Sequence, residues 1–68
     1  MRIQVNGEAR EIKVAQSVAE LVFQINGSDQ SQGIAVAVNG QIVRRNDWAE
    51  RTLEDNDEVE VLRAVSGG

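Results

Sequence analysis

The chain has 68 residues, with seven Lys or Arg against eleven Asp or Glu, and no cysteine, histidine or proline. A chain this short forms one small domain that buries only ~60% of its unfolded surface, here without disulfide or zinc staples. Thiol chemistry and the usual general base near neutral pH are both excluded, so a self-sufficient enzyme is not expected. The net charge of −4 is opposite to the basic footprint of a nucleic-acid binder. No apolar run approaches the ~18 residues of a membrane span, and Met1-Arg2-Ile3-Gln4 alternates instead of forming a signal core. A soluble, cytoplasmic protein with no nucleic-acid or membrane partner is therefore predicted.

From the N-terminus, Ile3 and Val5 alternate with polar residues, Asn6-Gly7 supplies the positive φ angles of a tight hairpin turn, and Ile12 and Val14 alternate on the return. A two-residue turn pairs positions whose numbers sum to 13, so Ile3, Val5, Ile12 and Val14 share one face. Glu8 and Arg10 fall on that face too, so either that end of the hairpin projects past the core or the loop is longer than two residues. Ser17-Val18-Ala19-Glu20 has the form of a capping box. Val18, Leu21, Val22 and Ile25 then follow the i, i+3, i+4, i+7 spacing of one buried helical stripe, closed by Asn26-Gly27. The polar stretch from Asn26 to Gly33 reads as a mobile surface loop.

Ile34 to Val38 is continuously apolar, which predicts a strand covered on both faces, and Asn39-Gly40 turns it into a further strand at Gln41–Val43. Asn46 is expected to cap one helical turn over residues 47–50, Leu53 returns to the core, and Asp55-Asn56-Asp57 makes a turn. A last strand runs from Val59 to Val65. This order places one amphipathic helix over a mixed sheet of about five strands, an α+β roll of the ubiquitin-like β-grasp type. The domain occupies residues 1–65 and a flexible tail residues 66–68.

The ending Ser66-Gly67-Gly68 is the most specific feature. Glycine has no Cβ, so an extended Gly-Gly enters a channel too narrow for other residues, and its carboxylate arrives unshielded. Ser66 and Gly67 are read as the threaded segment and Gly68 as the reacting terminus, with a reach of ~10 Å from Ser66 to Gly68. Six acidic residues, Glu50, Glu54, Asp55, Asp57, Glu58 and Glu60, lie in the last third of the chain and read as a solvated strand face. Asp55 and Asp57 have the opening spacing of a calcium loop. Val59 and Glu60 occupy the next ligand position and the required glycine, so metal binding is rejected. Trp48, the only tryptophan, is expected to pack in the core. Leu62 breaks the alternation that puts Val59, Val61 and Val65 on one face, and Leu62 and Val65, beside the tail, are assigned to partner contact.

The run Val38-Asn39-Gly40-Gln41-Ile42-Val43-Arg44-Arg45-Asn46-Asp47-Trp48, followed by Leu53, Asp57, Val59 and Gly67-Gly68, resembles the ThiS family of thiamine-biosynthesis sulfur carriers over nearly the whole chain. Arg44 stands where that family usually has proline. The resemblance implies a β-grasp protein co-substrate that holds no cofactor of its own. Its Gly68 carboxylate would be adenylated by an E1-like adenylyltransferase of the ThiF type, which uses ATP and magnesium. A sulfur donor would then convert it to a thiocarboxylate for delivery to a thiazole synthase of the ThiG type. With no cysteine present, covalently carried sulfur is confined to the terminus or the thioether of Met1. A monomer is expected in the free state. The alternatives are the small sulfur-carrying subunit of molybdopterin synthase, which resembles this chain in fold and terminal glycines, and a ubiquitin-like modifier or binding module.

Overall fold

A computed structural model describes residues 1–26 and 33–63. Strands β1 (Arg2–Val5) and β2 (Glu8–Glu11) precede helix α1 (Val18–Asn26); strands β3 (Ile34–Val38) and β4 (Gln41–Val43), a short 3-10 turn (Arg45–Asp47) and strand β5 (Glu58–Arg63) follow. The five strands form one sheet in the order β2-β1-β5-β3-β4. β5 lies at its centre, parallel to β1 and antiparallel to β3. The mixed sheet and single helix are those expected of the fold.

Both hairpins follow from Asn-Gly chemistry. Asn6 and Gly7 have φ of 52° and 83°, and Asn39 and Gly40 have 52° and 82°, the left-handed pair that a two-residue hairpin with native twist demands. The first turn pairs Val5 with Glu8 and Ile3 with Arg10, in the predicted register. Every residue of β2 is exposed, so the charged end of the hairpin does overhang the core. Val14 is a correction: it is 81% exposed. β2 stops at Glu11, Ile12 is held by donation of its N–H to the Met1 carbonyl at 2.9 Å, and the chain then turns through Ala15 at φ 62°. The alternation ends two residues before Val14, which rides on the turn.

The helix begins as its capping box dictates. The Glu20 N–H donates to Ser17 Oγ at 3.1 Å and the Ser17 N–H to Glu20 Oε1 at 3.2 Å. The two preceding helical N–H groups, which no helix can satisfy internally, donate across to the segment after the 3-10 turn. Val18 bonds the Arg51 carbonyl at 2.9 Å and Ala19 that of Trp48 at 3.1 Å. This places Val18, Leu21 and Val22 in the core, with Ile25 half-buried beside them. They pack against Ile3, Val36, Val38 and Val59 of the sheet, together with Leu53. Each such side chain contributes about 1.5–3 kcal/mol on full burial.

Three further expectations change. β3 is covered on one face only: Val36 and Val38 are buried, whereas Ala35 is exposed and Ala37 half-buried. Its apolar run reflects alanines on an uncovered face, not a second layer. The turn after β4 starts at Arg45, with Arg44 at the capping position and no side-chain cap bond, so Asn46 is not the cap. Asp57 is buried, unlike its acidic neighbours in the sequence; it accepts Asn39 Nδ2 at 3.0 Å and the Glu54 N–H at 2.8 Å. Trp48 is buried as expected, and its Nε1–H donates to the Val43 carbonyl at 2.9 Å. Arg44 has φ −66° and ψ 145°, the conformation a proline ring imposes, so the turn keeps its shape without the imino acid. Residues 27–32 of the predicted loop, Ala64 and Val65 of the predicted last strand, and the tail lie outside the described residues.

Candidate functional site

The sheet has one covered face and one open face, and β5 divides its side chains between them. Val59 and Val61 point under the helix, whereas Glu58, Glu60 and Leu62 point outward. Leu62 is therefore where the broken alternation put it, on the uncovered face, and is 61% exposed. Register fixes its neighbours: Leu62 lies opposite Ala35, and Ala37 lies opposite Ile42. Ile42 is 72% exposed. Two aliphatic side chains on strands ~10 Å apart thus stand diagonally across Ala35 and Ala37, with the exposed Glu60 beside Ala37.

This patch adjoins the end of β5, from which residues 64–68 continue to the carboxylate. Those residues span at most ~17 Å when extended. Val65, Ser66, Gly67 and Gly68 lie outside the described residues, so of the sequence-assigned positions only Leu62 is located here. Sequence reasoning missed Ile42, Ala35 and Ala37. The signal was available, because the Asn39-Gly40 turn pairs positions summing to 79 and sets Ile42 across from Ala37 on the side away from the buried valines.

The parallel pairing of β1 with β5 has a topological consequence. The chain enters the sheet at one pole and β5 leads out at the other. The Met1 ammonium sits at the entry pole, donating to the Ile12 carbonyl at 2.9 Å with Glu11 3.9 Å away. Among the described residues no cluster of acidic side chains suits a metal ion, no buried side-chain polar atom lacks a partner, and no helix is long and apolar enough to cross a membrane. What the described surface offers is an exposed apolar patch at the end of β5.

The family model described as the ThiS family matches residues 3–68, a span that includes both terminal glycines. The chain is 38% identical to the sulfur carrier protein ThiS of Escherichia coli K12, covering all of both chains. All of it also matches, at 31% identity, a stretch making up 20% of a thiazole synthase of Paramagnetospirillum magneticum. The crystal structure of a thiamine biosynthesis protein (ThiS) from Geobacter metallireducens aligns with a TM-score of 0.83 at 28% identity over all of both chains. A solution structure of a thiamine biosynthesis protein from the same organism aligns at 0.77 and 30% identity, over all of this chain and 88% of that one. The neighbours share the ubiquitin-like β-grasp fold expected from the element order.

Proposed function

Because the chain belongs to the ThiS family, we propose that it carries sulfur as a thiocarboxylate on Gly68 and donates it for thiazole formation in thiamine biosynthesis. The observation that carries this reading is the full-length match to a sulfur carrier protein, with a family match that runs through Gly67 and Gly68. The chemistry agrees with the residue inventory. A carboxylate is a poor acyl donor, so a Gly68 oxygen first attacks the α-phosphate of ATP and displaces pyrophosphate. A sulfur nucleophile then adds to the carbonyl carbon and expels AMP. Beyond the Gly68 carboxylate, nothing in the chain needs to act as nucleophile or base.

The activating partner is an E1-like adenylyltransferase of the ThiF type, which supplies the ATP and magnesium. The acceptor is a thiazole synthase of the ThiG type, a reading supported by the stretch of one thiazole synthase that resembles this whole chain. Leu62 and Ile42 form the docking face, with Val65 at the base of the tail; Ser66 and Gly67 thread the terminus into the partner.

Incubation with the cognate adenylyltransferase, ATP, magnesium and a sulfur source is expected to raise the intact mass by the difference between one sulfur and one oxygen, on the C-terminal peptide. Deleting Gly68 abolishes the change, because the new carboxylate stops ~3.5 Å short and a displacement of ~1 Å already costs much of the benefit of positioning. Gly68→Ala impairs it less. Sulfur on an internal residue, or full modification without Gly68, contradicts the carrier reading. Turnover with molybdopterin precursors, or an isopeptide to another protein, selects one of the alternatives instead.

A further inference from the structure

On its β1 side, the central strand is held at its last buried position, Val61, by a side chain instead of by main chain. On the β1 side of β5, Gln4 and Asn6 donate their N–H groups to the carbonyls of Asp57 and Val59, both at 2.9 Å. A parallel ladder would continue with the Asn6 carbonyl accepting from the Val61 N–H, and the N–H of position 8 donating to the Val61 carbonyl. The main chain cannot supply either group, because it turns away at Asn6 with φ 52° to build the hairpin. The Asn6 carboxamide takes both places. Its Oδ1 accepts the Val61 N–H at 2.9 Å and its Nδ2 donates to the Val61 carbonyl at 3.2 Å. A carboxamide has the donor and acceptor of a peptide group, so β1 gains one further rung without further backbone.

Beyond this rung, β5 is paired only with β3, through Ala35↔Leu62 and Ile34↔Arg63. We propose that Asn6 is a positioning residue for the transfer reaction: its carboxamide fixes the end of β5, the strand that precedes Gly68 in the chain. The proposal rests on the carrier reading above. Loss of the clamp leaves a buried-face residue with two unpaired main-chain groups, and the strand end opens locally. Docking through Leu62 and Ile42 can persist while the strand end that precedes Gly68 is no longer fixed, so the cost falls on turnover more than on recognition.

The fold contains its own control. Asn39 occupies the equivalent turn position with the same φ of 52°, and it also clamps β5, accepting the Glu58 N–H at 2.9 Å. That bond lies at the far end of the strand. Asn6→Gly and Asn39→Gly each preserve the left-handed turn and remove one carboxamide. Amide exchange and steady-state adenylation by the cognate adenylyltransferase are to be measured on both, with Asn6→Asp as a third variant that keeps the Oδ1 acceptor and loses the Nδ2 donor.

Asn6→Gly is expected to accelerate exchange at Val61 by ~10-fold or more and to lower kcat for adenylation by ~10-fold, with KM changed by less than ~2-fold; Asn6→Asp, which keeps the acceptor of the Val61 N–H, is expected to change both by less. Asn39→Gly accelerates exchange at Glu58 and leaves kcat within ~2-fold of the unsubstituted protein at a temperature where all variants are folded. Unchanged exchange at Val61 in Asn6→Gly overturns the clamp. Faster exchange with unchanged kcat, or an equal loss of kcat in Asn39→Gly, overturns the positioning role. An unsubstituted protein that is never adenylated contradicts the carrier reading instead, and the exchange result still decides the clamp.

Discussion

The two faces of the sheet are built from the same strands and do opposite work. Under the helix, Ile3, Val36, Val38 and Val59 are almost entirely removed from water; on the reverse, Ile42 and Leu62 are largely exposed, diagonally across Ala35 and Ala37. A side chain on the covered face contributes to the free energy of folding, whereas one on the open face is left unburied until something docks there. Strand alternation therefore separates the residues that specify the fold from those available to specify a partner, one position apart in the sequence. Substitutions on the two faces should fail in different measurements.

The largest effect belongs to the covered side. Leu53, 2% exposed, sits among the helix and sheet residues of the core, and Leu53→Ala is expected to cost about 2–5 kcal/mol in chemical denaturation. A loss of partner binding in this variant should disappear once the folded fraction is taken into account. A loss that persists in the folded fraction would break the division between the faces.

Leu62→Asp is the converse. Stability should fall by less than ~1 kcal/mol, because the side chain is already exposed opposite Ala35. Affinity for the adenylyltransferase or the thiazole synthase should fall by ~30-fold or more, as for an apolar anchor at the centre of an interface. Calorimetric titration beside thermal unfolding separates the two quantities. Cooperative unfolding that collapses while the folded fraction binds normally would make Leu62 a core residue.

A smaller test concerns the helix that covers the inner face. Ser17→Ala removes the hydroxyl that accepts the Glu20 N–H and should cost about 1 kcal/mol, with partner affinity unchanged. The smallest is a gain. Arg44 already has φ −66° and follows strand β4. In the two-residue hairpin its N–H faces away from β3, so Arg44→Pro removes no ladder bond and should stabilise by about 0.4–1 kcal/mol through the unfolded state. A destabilised Arg44→Pro would show that the turn depends on that N–H.

Most of this architecture is written in local chemistry that needs only neighbouring residues to read. The two Asn-Gly turns fix hairpin register, Ser17 and Glu20 fix the helix start, and alternation in β5 singles out Leu62. The misreadings have other causes. Val14 continues an apolar pattern that the strand does not follow, because Ile12 closes onto Met1 and Ala15 turns the chain. The apolar run of β3 is ambiguous, since alanine is as compatible with an exposed strand face as with a buried one. Asp57 belongs by composition to an acidic surface, and only the arrival of Asn39 from another hairpin makes it a buried acceptor. Asn6 signals its turn plainly, yet its bond to Val61 depends on a strand 55 residues away. For Asp57 and Asn6 the deciding partner is distant in sequence, so periodicity and propensity carry no trace of it. The same limit applies to Ile42, although there the register of the second turn would have sufficed.

The division between the faces is tested most directly by mapping backbone amide shifts of the isotope-labelled protein during titration with the adenylyltransferase proposed as its partner. The account predicts that broadening or shifts at substoichiometric partner concentrate at Ala35, Ala37, Ile42, Leu62 and Arg63, with α1 and the exposed Phe23 and Val14 unaffected. Changes centred on α1 or on Val14, with the open sheet face unperturbed, would contradict it.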